Sequence, residues 1–222
     1  MKISDRLKTV ASLIKEHANV ADVGADHGLL EKYLLDNDKV DYILAIENKD
    51  GPFSILKNNL EDYDVELSLS DGISKINDKV DTIVIAGMGG ILISNILTSH
   101  KEKLSNIKQI VVDAHRDIEL VRRNVTELGF YIEKEVIVYE NEEYYFVISF
   151  LKGSRKYSES EYEWGYKIKE DPLFEKYRED QQKLLALNFI RYTSSEKATK
   201  VGIKKRKDKI RRLANLWTQL DY

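Results

Sequence analysis

Three carboxylates in the first third of the chain fall at spacings that suit a single ligand. They are Asp26 in Val23-Gly24-Ala25-Asp26-His27-Gly28, Glu47 at the end of Ile43-Leu44-Ala45-Ile46-Glu47, and Asp71 in Ser70-Asp71-Gly72. Each follows a short apolar run, so each is expected at the carboxyl end of a strand, where open parallel sheets bind their ligands. Gly24 lets the chain turn sharply and lets a ligand approach the backbone. A carboxylate at Asp26 repels the pyrophosphate of a dinucleotide, but it favours the sulfonium and ammonium groups of S-adenosylmethionine. Glu47, about twenty residues beyond the glycine loop, can accept hydrogen bonds from both hydroxyls of a ribose, a placement that alone suits a nicotinamide cofactor equally well. Asp71 can accept from the exocyclic amine of adenine, with Gly72 permitting a close turn. Plainer readings exist for two of these acids: Asp26 as the cap of the following helix, and Asp71 as part of an ordinary Asp-Gly turn.

A further apolar run, Thr82-Ile83-Val84-Ile85-Ala86, ends in Gly87-Met88-Gly89-Gly90. Methyltransferases acting on amine or ring nitrogens often carry a polar-proline-aromatic motif at this point. Glycines and one methionine would instead line the transfer position with backbone groups and an adaptable apolar side chain; tight packing of the turn against the next helix is the alternative. The next run leads into Val112-Asp113-Ala114-His115-Arg116, whose polar groups should face the same crevice.

The elements that must position these groups follow from periodicity. A capped amphipathic helix is expected over residues 4–17, with Ser4 as cap and Leu7, Val10, Ala11 and Ile14 on one face. Strands are expected near 20–23, 42–46, 65–69, 82–86 and 109–112, alternating with helices near 27–35, 52–60, 91–100 and 117–128. Two closing strands, 131–139 and 144–151, lack an intervening helix and should form an antiparallel hairpin. The expected architecture is α/β, a mainly parallel, Rossmann-like sheet covered on both faces, and the hairpin distinguishes a methyltransferase sheet from an all-parallel dinucleotide sheet. Composition changes at Lys152-Gly153-Ser154-Arg155-Lys156, the expected domain boundary. Beyond it, a helix from Pro172 to about Tyr192, a turn and cap at Thr193-Ser194-Ser195-Glu196, and a helix from about Ser195 to Leu220 suggest an antiparallel pair. Its apolar faces would carry Leu184, Leu187 and Ile190 on one helix, and Ile210, Leu213, Trp217 and Leu220 on the other.

Charge divides along the same boundary. The 222 residues carry a net −3, yet the stretch from Lys183 to Leu213 holds eleven basic residues against two acids. A polyanion would therefore be drawn to the C-terminal end, unless the run is simply a solvated helix face. The chain has no cysteine, which removes disulfides and thiolate metal sites, and its four histidines lack metal-ligand spacing, so no metal is expected. No apolar run has the length of a membrane span, and no secretory leader precedes the first helical pattern, which points to the cytoplasm.

Taken together, Ala21-Asp22-Val23-Gly24-Ala25-Asp26-His27, Glu47 followed by Asp50-Gly51-Pro52-Phe53, Asp71-Gly72 and Ala86-Gly87-Met88-Gly89-Gly90 resemble the bacterial tRNA (adenine-22, nitrogen-1)-methyltransferase family. The resemblance spans most of the first 150 residues, and the basic helical tail fits it. It implies a Rossmann-like class I catalytic domain over 1–152, a coiled-coil-like helical domain over 153–222, S-adenosylmethionine as cofactor and tRNA as partner. Carried over, Gly24, Asp26 and His27 line the methionine part of the cofactor, Glu47 the ribose, and Asp71 with Gly72 the adenine. Gly87 and Met88 are expected to complete the cofactor site where it borders the target ring, Asp26 is the candidate catalytic carboxylate, and Lys204, Lys205, Arg206, Lys207, Arg211 and Arg212 are expected to bind tRNA phosphates. The family usually has Gln-Pro-Asn where this chain has Asp113-Ala114-His115. Two other readings stay open: a methyltransferase of small molecules or proteins, and an RNA-binding module with a degenerate cofactor site.

Overall fold

The computed structural model describes residues 3–194 and 199–219. Seven strands, β1 (Ala18–Val23), β2 (Val40–Glu47), β3 (Glu66–Leu69), β4 (Thr82–Met88), β5 (Gln109–Ala114), β6 (Phe130–Glu140) and β7 (Glu143–Lys152), form one sheet in the order β3-β2-β1-β4-β5-β7-β6. The first five are parallel; β7 inserts antiparallel between β5 and β6. The continuous apolar runs have the reason expected of them, because Ile43, Leu44, Ile83, Val84, Ile85, Ile110, Val111 and Val112 are buried whichever face they point to. The hairpin closes through two residues, Asn141 and Glu142, both at positive φ, the backbone that matches strand twist.

Helices α1 (Asp5–Leu13), α2 (Leu29–Asp36), α3 (Asp50–Asn59), α4 (Gly90–Ser99) and α5 (Ile118–Glu127) cover the sheet. In α1 the Ser4 hydroxyl accepts from the Leu7 amide at 3.2 Å, as the sequence suggests. The helix stops at Leu13, four residues earlier than its periodicity extends: Ile14 is already extended at ψ 134°, and His17, at positive φ, donates its amide to the Lys39 carbonyl just before β1. Arg122 of α5 and Glu135 of β6 form an ion pair buried beneath the hairpin.

The chain divides into two compact units after Lys156. The stretch following β7 stays with the first unit: Gly153 donates to the Gly129 carbonyl at 2.9 Å, and the Arg155 guanidinium lies 4.9 Å from the centre of the Tyr131 ring. The second unit is helical, with α6 (Glu159–Trp164), α7 (Phe174–Thr193) and α8 (Lys200–Thr218). Sequence periodicity missed α6, although Ser158 and Glu161 make a reciprocal capping box at its start. Leu213 and Leu216 of α8 are buried, and the Leu216 carbonyl accepts from Ser160. The α7 stripe behaves differently: Leu184, Leu187 and Ile190 share a face as expected, yet all three are exposed. Helices α7 and α8 meet where Tyr192 packs on Gly202 and its hydroxyl accepts from the Thr199 amide at 3.3 Å. The expected turn at Ser195-Glu196, the Trp217 side chain and Leu220 lie outside the described residues.

Candidate active site

A cavity of about 680 Å³ opens at the carboxyl ends of β1, β2 and β4, a size typical of sites for small molecules and cofactors. It gathers all eight residues singled out for a cofactor: Gly24, Asp26, His27, Glu47, Asp71, Gly72, Gly87 and Met88. The loop after β1 is tied to its neighbour, since the Gly24 and Ala25 amides both donate to the Ile46 carbonyl, at 2.8 and 3.1 Å. Gly24 sits at φ +83°, and the space its missing Cβ would fill is taken by the terminal methyl of Met88. Glu47 is buried, and its Oε1 accepts from the backbone amides of Asn48 (2.9 Å) and Lys49 (3.2 Å), which fixes the carboxylate at the cavity wall.

Asp26 does not cap the following helix. The capping position of α2 is Gly28, which makes no side-chain bond, while Asp26 stands exposed at φ +49° with its carboxylate 3.8 Å from His27 Nε2. Asp71 is exposed as well; its carbonyl accepts from the Ser74 hydroxyl at 2.7 Å, so a local turn and a place on the cavity wall coexist.

Sequence reasoning quoted Asp22 and expected Asp113 at the crevice, but it missed the partner of each. Asp22, the penultimate residue of β1 and part of the cavity lining, is buried beside Glu31 of α2, whose carboxyl is wholly buried. Burial pushes Asp22 up to about 6 against the opposing influence of Glu31 and the Val23 amide; burial and then the neighbouring Asp22 push Glu31 well above the usual carboxylate range. The second group joins Arg6 of α1 to Asp113 of β5, an ion pair across 107 positions of sequence. Asp113 is fully buried, and burial raises its pKa against the opposing pull of Arg6, His115 and the Gly87 amide.

In the second unit Lys204, Lys205, Arg206, Lys207, Arg211 and Arg212 are all exposed on α8. Two have protein partners: Arg206 stacks 3.5 Å above the Tyr192 ring, and Arg212 pairs with Glu163 at 3.2 Å. No group of three metal-ligating side chains occurs among the described residues, and no described helix is long and apolar enough to cross a membrane.

The antiparallel hairpin beside an otherwise parallel sheet, with its cavity over the glycine loop, defines a Rossmann-like methyltransferase, and a family model described as a methyltransferase domain matches residues 3–148. The tRNA (adenine(22)-N(1))-methyltransferase of Bacillus subtilis (strain 168) is 34% identical over 160 residues, covering 70% of this chain and 67% of that protein. This chain belongs to the tRNA (adenine(22)-N(1))-methyltransferase family. The likeness extends through both units. The crystal structure of the B. subtilis m1A22 tRNA methyltransferase TrmK superposes with a TM-score of 0.84 at 26% identity, over 97% of this chain and 98% of that one. Streptococcus pneumoniae Sp1610 in complex with S-adenosyl-L-methionine gives 0.85 at 26% identity, over 97% and 99%.

Proposed function

We propose that this chain transfers the methyl group of S-adenosylmethionine to nitrogen-1 of adenine 22 in tRNA. The observation that carries this reading is the convergence of the Gly24 loop, Glu47, Asp71 and the Gly87-Met88 turn on one cavity, in a chain whose relatives act on that nucleotide or bind that cofactor.

The cavity suits the cofactor in shape and charge. At Gly24 the wall is backbone against which the Met88 methyl packs, Glu47 offers a fixed carboxylate for vicinal hydroxyls, and Asp71 and Gly72 edge the far end. When bound, the cofactor supplies an electrophilic methyl group on a cationic sulfur. Asp22, Asp26 and Glu47 surround it with acidic groups, which favours a cation over the anionic phosphates of a dinucleotide.

Neutral adenine presents a lone pair on nitrogen-1, so no base is needed to create the nucleophile; holding the ring in line and excluding water carry the rate. Gly87 and Met88 form the floor for the ring, and Asp26 is the candidate acid supporting the positive charge that the ring acquires. The exposed cations of α8 hold tRNA phosphates, a sequence-independent attraction that leaves selectivity to the folded shape of the tRNA. The unit that ends at Lys156 thus carries catalysis and the helical unit that follows it RNA binding, with the cytoplasm as the place where both substrates meet.

Labelled cofactor with unmodified tRNA, followed by mapping of the methylated nucleotide, tests the proposal. Label in nitrogen-1 of adenine 22 is expected. Label in another base, or methylation of a small molecule or protein but of no tRNA, overturns it.

A further inference from the structure

Beside the cofactor wall, the cavity has a second rim built from four distant parts of the chain. Strand β4 is irregular where it ends: Ala86 pairs with Asp113 and Met88 with Ala114, so Gly87 bulges out of the ladder at φ +79°. Its amide finds a substitute acceptor in Asp113 Oδ2, at 3.1 Å. The same oxygen takes the Arg6 guanidinium and lies 3.8 Å from His115 Nε2, while Oδ1 is buried without a hydrogen-bond partner. Arg6 is anchored in turn from the hairpin. The amides of Asp5 and Arg6 donate to Glu140 Oε1 at 3.1 and 3.5 Å, Arg6 Nε lies 3.9 Å from Glu140 Oε2, and the guanidinium sits 5.3 Å from the centre of the Tyr145 ring. His115 meets that ring edge-on at 4.9 Å. A Cβ built on Gly87 would lie 3.9 Å from Arg6 Nη1 and 4.0 Å from His115 Nε2, so these two side chains flank the space above the bulge.

We infer that Arg6 and His115 form the edge of the target-base subsite, and that Asp113 is the positioning residue that sets both of them and the Gly87 bulge in register. This inference rests on the methyl-transfer reading above and deepens it. Three observations carry it. Arg6, Gly87, Met88, His115 and Glu140 all line the cavity, and the strand order puts β1 between the β4–β5 side that carries Gly87 and the β2 end that carries Glu47. One buried carboxylate fixes a backbone amide, a guanidinium and the neighbourhood of an imidazole at once, which is what in-line transfer to a flat ring requires, since small misplacements are costly. Arg6 faces two carboxylates, Asp113 and Glu140, so acidic side chains outnumber the guanidinium where the ring becomes cationic. Arg6 keeps further N–H donors for the acceptor nitrogens of a purine, and His115 offers a ring nitrogen to the exocyclic amine.

The test compares wild type with Arg6→Lys, Asp113→Asn and His115→Ala in single-turnover methylation of tRNA, alongside cofactor affinity by calorimetry and tRNA affinity by filter binding. Expected is a fall of roughly 10- to 100-fold in the methylation rate for each variant, with both affinities within about threefold of wild type. Glu140→Gln, which loosens Arg6 while leaving Asp113 in place, should give a smaller fall and keep the protein folded even if Asp113→Asn does not fold. Cofactor affinity falling in step with the rate, or variants that methylate as fast as wild type, overturns the inference. Absence of tRNA methylation by the wild-type chain overturns the proposed function, and this inference with it.

Discussion

The terminal methyl of Met88 occupies the space that a side chain at Gly24 would need, so the cofactor loop and the transfer turn are fitted to each other across the cavity. Gly24→Ala is therefore expected to suffer twice: a non-glycine residue at positive φ costs about 1–2 kcal/mol, and the new methyl displaces Met88. Calorimetry should find cofactor affinity reduced at least tenfold, and Met88→Ala on the same background should recover part of it. Equal recovery to wild type would mean that backbone strain at residue 24 matters little.

Glu47→Gln removes the charge while keeping the shape. A hydrogen bond to a charged group is worth roughly 1.5–3 kcal/mol, so the dissociation constant for S-adenosylmethionine should rise about 10- to 150-fold, with a similar rise for the demethylated product because both carry the ribose. An unchanged constant would remove Glu47 from the ribose site.

The Asp22–Glu31 pair gives stability a pH dependence of definite sign. Burial raises Asp22 from its ordinary 3.8 to about 6, so between those values the folded state holds a proton that the unfolded chain has lost. Stability is then present at acid pH and lost as pH rises through about 6, by about 3 kcal/mol if the whole shift is expressed. Glu31 is shifted in the same direction. Melting followed from pH 4 to pH 7 should show wild type losing more stability than Asp22→Asn over that window. Parallel curves for the two proteins would refute the account.

Beneath the hairpin, Arg122 donates to both carboxylate oxygens of Glu135 through Nε, at 3.0 and 3.2 Å. Removing one partner of a buried ion pair costs about 3–5 kcal/mol. Glu135→Ala should lower the urea midpoint accordingly, whereas a loss under about 1 kcal/mol would show that Arg122 is well served by its other surroundings.

Replacing Lys204, Lys207 and Arg211 together by alanine should weaken tRNA binding and flatten its salt dependence, by about 2–3 in the slope of log K against log salt if each cation meets one phosphate. Cofactor affinity should stay as it is. An unaltered salt slope would take the RNA away from this face of α8.

The sheet was readable because its evidence is local. Buried parallel strands write themselves as unbroken apolar runs, and positive-φ turns select glycine at residues 24, 72 and 87. The three acids were readable for a related reason, since each follows directly on its strand. The pairing of Arg6 with Asp113 was not, because a pair separated by 107 positions exists only once β5 and α1 are docked. Glu31 looked like an ordinary acid in the first turn of a helix, and nothing nearby signals that it faces Asp22 in the core. The capping box at Ser158 was a local signal available and unused. Leu184, Leu187 and Ile190 show the limit of periodicity, which identifies an apolar face without saying what, if anything, covers it.

The rim around Gly87 draws on residues 6, 113, 115, 140 and 145, the first turn of the chain and nearly the last strand of its unit. A nascent chain that has emerged only as far as β5 already contains every residue of the cofactor wall, yet its N-terminal helix has no Glu140 to hold it and no Tyr145 to lie against. Completion of the hairpin is thus the point in chain order at which the rim around Gly87 gains Glu140 and Tyr145, its last contributors.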